Sequence, residues 1–222
     1  MHKITEHIGK TADKIMGPCV RSIKIPDQNN LYLTFDDGPV SKNTEAILKL
    51  LEINNAPATF FVVGATAEKN PAIIKEMLHL GHSVGDHSSD HNWINYFCSF
   101  AETETWIKNS FTALTELCGE RPIGFRAPYG IRTPKIHAAI KKLQIPLIHW
   151  NTRFYDTIKP WTIMGAKSSL EQATNGDIIL LHDRGKSELD KFLKTLECYI
   201  FAAKERGFTF SKIPAFLSPN SG

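Results

Sequence analysis

The stretch Leu31–Pro39, LYLTFDDGP, decides the fold. Its apolar, aromatic and β-branched residues read as a strand covered on both faces. The strand ends on two adjacent carboxylates, Asp36 and Asp37, before Gly38 and Pro39 turn the chain. Like charges side by side repel, so a fold that keeps both near its interior needs a compensating cation. A metal ion is one such cation.

Working outward, the same rhythm recurs. PATFFVVG, HSVGDH, IGFRAP, PLIHWN, DIILLHD and GFTFSKI are extended runs separated by stretches of helical period. SKNTEAILKLLEINN opens with Ser41 and Asn43 as cap candidates, and NPAIIKEMLHLG has Asn70 and Pro71 at its start and Gly81 at its end. AETETWIKNSFTALTELCG, TPKIHAAIKKLQ and SELDKFLKTLECYIFAAKERG continue the series. About seven strands alternating with helices predict an α/β fold with a parallel sheet, a distorted or incomplete (β/α) barrel. Chemistry in such barrels gathers at the C-terminal strand ends. Asp36 and Asp37 end the first strand, His87 follows the third, Arg126 ends the fourth, Asp156 follows the fifth, and His182 with Asp183 ends the sixth. All are expected at one mouth.

Composition narrows the function classes. A chain of 222 residues, 42% hydrophobic and 22% charged, suits one globular domain, expected over 31–222 behind an N-terminal helix and lead-in over 1–30. The 26 Lys and Arg and 23 Asp and Glu are scattered, which argues against nucleic acid as a partner. Runs such as ATFFVV are too short for a membrane span of about 20 residues. MHKITEHIGKTADKIMGP places Ile4, Ile8, Ile15 and Met16 on one helical stripe and holds no secretory core. That predicts a cytoplasmic protein if Met1 is the native start, and an exported one if the chain was trimmed from a precursor. Cys19, Cys98, Cys118 and Cys198 form no CxxC and read as buried thiols. Nothing in the sequence signals an oligomeric state.

HSSDH places His87 and His91 four residues apart, a spacing that puts both imidazoles on one face of a helical turn. On spacing alone a solvated surface pair competes equally. Joined to a carboxylate of the Asp36–Asp37 pair, they make an oxygen and nitrogen donor set suited to zinc, and also to cobalt, nickel or iron. One aspartate then serves the ion and its neighbour takes a proton from an activated water, whose pKa falls from about 15.7 to about 7.

Together TFDDGP, HSSDH, RAPYG, YDT and LLH resemble, in order and spacing, the five motifs of the NodB-homology polysaccharide deacetylases, carbohydrate esterase family 4. The resemblance implies Asp36 as catalytic base, Asp37, His87 and His91 as ligands of one divalent metal ion, and His182 as general acid. It further implies that Arg126 orients the base and that Asp156 orients the histidine. The N–H of Tyr129 would hold the oxyanion, and Leu180 would wall the pocket of the acetyl methyl. Thr157 stands where many members have Trp, which puts the pocket's shape in question; Trp150 and Trp161 are candidates to fill it. Asp86 is either a support for the ligands or a solvated residue. His82 reads as structural, and Tyr96, Phe97, Phe100 and Trp106 read as core before groove.

The implied activity is removal of an N-acetyl group from an amino sugar in a peptidoglycan-like or chitin-like glycan, with that N-acetylated glycan as the partner. The same machinery acting on an O-acetyl ester, a formamide or a non-sugar amide comes second. A glycan-binding barrel without catalysis is third.

Overall fold

A computed structural model of the protein describes residues 17–215. The expected N-terminal stripe of Ile4, Ile8, Ile15 and Met16 lies outside the described residues. Six strands form one sheet: β1 (Asn30–Asp36), β2 (Thr59–Val62), β3 (Ser83–Asp86), β4 (Thr152–Arg153), β5 (Ile178–His182) and β6 (Thr209–Phe210). Their order is β3-β2-β1-β5-β4, with β6 paired to the start of β1, and every pairing is parallel.

The α/β architecture is thus as expected, but two of the expected strands are not regular ones. IGFRAP and PLIHWN join the wall through single bridges, Asp86 to Phe125 and Phe125 to Leu147. Prolines 122, 128 and 146 remove main-chain donors here. Gly124 packs so tightly that a Cβ would meet the Pro146 oxygen at 2.8 Å. Val20 and Ser22 add further bridges to Ile148 and Asp177. Residues 122–128 and 145–151, on either side of the helix Pro134–Leu143, therefore form a loosely stitched seam between β3 and β4 rather than ladder strands.

The helices start and stop where their side chains dictate. Phe100–Cys118 opens with a reciprocal Ser99–Glu102 capping box and ends at Gly119, φ 72°. Pro134–Leu143 is capped by Thr133, whose side chain accepts from Ile136 N–H. Ser41–Ile53 differs from expectation: Val40 is its N-cap and no side chain caps it, because Thr44 Oγ1 instead accepts from Val40 N–H at 2.7 Å. Ile163–Glu171, with Thr162 as cap, has no counterpart in the sequence reading. Gly165 and the Ser168–Ser169 pair inside it blur its apolar stripe.

Strand parity builds two cores. In β1, Leu31, Leu33 and Phe35 pack outward with helix residues such as Ile47, Leu51, Leu196 and Ile200. Tyr32 faces inward with Phe61, Ile148, Ile178 and Ile213. Successive side chains of a strand alternate faces, so Thr34 and Asp36 share the inward face with Tyr32. On β5, which pairs with β1 from Tyr32–Ile178 to Asp36–His182, the same parity turns Leu180 and His182 inward. The site is thus the upper layer of the inner core.

Candidate active site

Asp36 and Asp37 are separated by the end of β1. Asp36, 2% exposed, gives Oδ1 to Arg126 Nη1 at 2.6 Å. The same Nη1 donates to Thr34 Oγ1 at 2.8 Å and Nη2 donates to the His149 carbonyl at 3.0 Å. The guanidinium lies 3.9 Å from the Phe61 ring centroid, so the fully buried Arg126 is held in plane and in register. Thr34, which the sequence reading passed over, is part of this clamp.

Asp37 adopts φ 73°, a left-handed turn that takes its carboxylate off the strand. Asp37 Oδ1 lies 3.4 Å from His87 Nε2 and 3.2 Å from His91 Nε2. Burial pushes the Asp37 carboxyl up, but the two imidazoles outweigh it and hold the group well below the usual carboxylate range. One donor atom from each of Asp37, His87 and His91 falls within a group no wider than 4.8 Å. His87 Nδ1 lies 2.8 Å from the Arg126 carbonyl, which directs Nε2 into the group. The donor set and its orientation therefore fit a divalent ion. The adjacent carboxylates take separate partners, Asp36 the Arg126 cation and Asp37 the two imidazoles, and that answers the question raised by their pairing.

The histidines converge by a different route from the helical turn expected. Residues 87–92 form a bend in which Ser88 (φ 69°) and His91 (φ 53°) are both left-handed. A hydrogen-bonded chain holds it. Ser110 Oγ on the helix Phe100–Cys118 donates to Asp86 Oδ1 at 2.7 Å, and Ser88 N–H donates to the same oxygen at 2.9 Å. His91 N–H then donates to Ser88 Oγ at 3.0 Å. Asp86 is fully buried, not solvated. His82 is structural as expected: its Nδ1 accepts from Ala58 N–H at 3.0 Å, and burial lowers its pKa to about 4.

Across the mouth, His182 is gripped by Asp156, with Nδ1 to Oδ1 at 2.8 Å and the His182 N–H donating to Oδ2 at 2.9 Å. Burial would lower the imidazole's pKa, but the Asp156 hydrogen bond and charge outweigh it and raise it to about 9. Asp183 turns away from the mouth; Thr44 Oγ1 donates to its Oδ2, and burial pushes its carboxyl up to about 7. Gly38, which follows the Asp37 turn, leaves room for Asp183: a Cβ there would meet Asp183 Oδ2 at 2.2 Å. Tyr129 sits in the short turn Pro128–Gly130 with φ 59°, its ring 4.5 Å from that of His91. Leu180 is buried opposite Thr34 in the β1–β5 register.

Residues 24–148 match the polysaccharide deacetylase family. The chain belongs to that family. A chitooligosaccharide deacetylase of Bradyrhizobium is 31% identical over 83% of this chain and 89% of its own length. The peptidoglycan-N-acetylglucosamine deacetylase PgdA of Listeria monocytogenes is 32% identical over 86% of this chain, which spans 41% of that relative. The crystal structure of the Bc1960 peptidoglycan N-acetylglucosamine deacetylase superposes with a TM-score of 0.79 at 27% identity, covering 92% of this chain and 94% of that one.

Within this deacetylase, the two tryptophans proposed to replace the one missing at Thr157 have different fates. Trp161 is 4% exposed and packs in the outer core against Phe154 at 4.5 Å and Phe192 at 5.6 Å. It does not line the mouth. Trp150 does border the site, 5.6 Å from the Arg126 guanidinium and so close to Gly130 that a Cβ there would meet it at 2.4 Å. Tyr96 and Trp106 pack with the core around Phe125, as expected. Phe97 does not: it is 75% exposed, and Phe100 is 40% exposed. The four cysteines are half-buried thiols rather than fully buried ones. No helix among the described residues is long and apolar enough to cross a membrane.

Proposed function

We propose that the protein removes acetyl groups from N-acetylated amino sugars within a glycan, using one divalent ion, zinc by preference. The observation that carries this reading is the Asp37, His87 and His91 donor group set between an arginine-clamped carboxylate, Asp36, and a carboxylate-bound imidazole, His182. The names of the chitooligosaccharide and peptidoglycan relatives supply the substrate class.

Asp37, His87 and His91 would hold the ion, which when bound supplies Lewis-acid activation of water and of the acetamide carbonyl. Asp36 then accepts the proton of the attacking water. Arg126 occupies its Oδ1, so the second oxygen, 3.8 Å from His87 Nε2, is left for that proton. The main-chain N–H of Tyr129 donates to the oxyanion, and Leu180 packs against the acetyl methyl. His182, its Nδ1 fixed by Asp156, delivers the Nε2 proton to the departing nitrogen as the C–N bond breaks. Acetate and a free amine result.

The test is acetate release from chitin oligomers and peptidoglycan fragments by metal-stripped protein, with and without added zinc. Release that returns with zinc and falls by about 10²–10⁴ in Asp36→Asn, while zinc still binds, is expected. Zinc binding without release from either substrate would overturn the reading.

A further inference from the structure

The mouth is electrically lopsided. Two segments meet behind His182: residues 152–160, which comprise β4 and the loop after it that carries Asp156, and residues 183–188, which lead from β5 to the next helix. They are sewn together, since Lys186 N–H donates to the Asp156 carbonyl at 2.7 Å and a Cβ on Gly185 would come within 3.2 Å of the same oxygen. Of the acidic residues on these segments, Asp156 and Asp183 are buried, and the exposed Glu188 is paired with Lys191 at 2.9 Å. The other exposed charged residues, Arg153, Lys159, Arg184 and Lys186, are all positive. None has a carboxylate partner among the described residues. Two of them flank one ring: Arg153 Cζ is 4.1 Å and Lys159 Nζ 6.0 Å from the centroid of Tyr155, a residue 43% exposed.

The opposite lip has another chemistry. The segment 88–99 contains no Lys or Arg. Its one acid, Asp90, is engaged by Asn92 N–H at 3.2 Å and Asn95 Nδ2 at 3.1 Å. Trp93 and Phe97 form an exposed edge-on aromatic pair, 5.7 Å between centroids. Tyr96 ties this lip to the mouth through a 2.6 Å hydrogen bond to the Pro128 carbonyl.

We infer that the glycan bears an anion, a carboxylate or a phosphate, on the side of the departing amine. The neutral sugar faces lie on the Trp93 and Phe97 lip, where apolar ring faces stack. The unpaired cations on the His182 lip attract the anion and fix which way the chain runs through the mouth. This inference rests on the deacetylase reading above and divides its two substrate families, favouring an anionic glycan over neutral chitin.

The experiment compares initial rates of acetate release by zinc-loaded protein on three substrates at low and high salt. These are neutral chitotetraose, a tetrasaccharide carrying lactyl carboxylates, and an N-acetylglucosamine oligomer carrying a phosphate. Wild type is set beside Lys159→Ala/Arg184→Ala/Lys186→Ala, whose three positions are exposed. At least one anionic substrate is expected to have the higher kcat/KM, with an advantage that shrinks in salt. In the triple variant the anionic-to-neutral ratio should drop by about tenfold, through KM, the sum of three exposed charge pairs of ordinary strength. The responding arm tells carboxylate from phosphate. Equal rates on all three substrates, or a preference indifferent to salt, would overturn the inference and leave the deacetylase reading standing. No acetate from any substrate would overturn the deacetylase reading itself. If the triple variant fails to fold, the salt response of the wild type decides alone.

Discussion

Asp156 holds His182 through both of its oxygens, one on the ring Nδ1 at 2.8 Å and one on the main-chain N–H at 2.9 Å. The same carboxylate therefore sets where the imidazole points and how firmly it keeps its proton. With the imidazole raised from 6.5 to about 9, His182 is protonated at neutral pH. Deacetylation should fall on the alkaline side as pH rises through about 9. In Asp156→Asn the strongest raising group is gone and burial is opposed only by the charges of Asp36 and Asp37, so the alkaline limb should move to lower pH and kcat at pH 7 should drop. A kcat–pH profile of both proteins checks this. Stability follows the same sign: the His182 contribution is complete below about pH 6.5 and is lost as pH rises to about 9.

Ser110 touches no ligand, yet it anchors the chain of bonds that shapes the His91 bend. Ser110→Ala should weaken zinc binding by on the order of tenfold, the usual effect of losing a group that supports a ligand. Competition titration against a chelating dye measures it; an unchanged dissociation constant would remove Ser110 from the metal site.

Arg126→Met leaves the buried Asp36 carboxylate without its cation and should cost about 3–5 kcal/mol of stability. The double variant Arg126→Met/Asp36→Asn should recover part of that loss, because the uncompensated charge is gone. Urea unfolding of the four proteins in the cycle gives the coupling.

Gly38→Ala drives a methyl against Asp183, a short side chain already buried and bonded to Thr44. A cost of about 1–3 kcal/mol is expected, together with weaker zinc binding, since Gly38 follows Asp37 directly. Removing the obstacle in Gly38→Ala/Asp183→Ala should restore part of both. A double variant no better than the single one would mean that the methyl is not what disturbs the site.

The parts of the site that lie along the chain were legible in the sequence. Asp36 and Asp37 announced themselves by ending an apolar strand, and His87 with His91 by their spacing. The bend that joins the histidines was not legible, because left-handed Ser88 and His91 have no glycine to mark them. Partners that meet only after folding were equally hidden: Thr34 under Arg126, and Ser110 beneath Asp86, 24 residues away. IGFRAP and PLIHWN read as strands from their apolar content, but Pro122, Pro128 and Pro146 in and beside them remove the donors that a ladder needs. Trp161 was an open candidate because its neighbours Phe192 and Tyr199 are distant in sequence.

The seam between β3 and β4 joins the wall through single bridges, and Arg126 lies in it. From there its guanidinium reaches across to Thr34 and Asp36 on the central strand. One side chain fastens the seam to β1 and holds the Asp36 carboxylate in place, so docking the seam and orienting that carboxylate are a single event. A chain in which the wall has not closed therefore holds no half-working deacetylase.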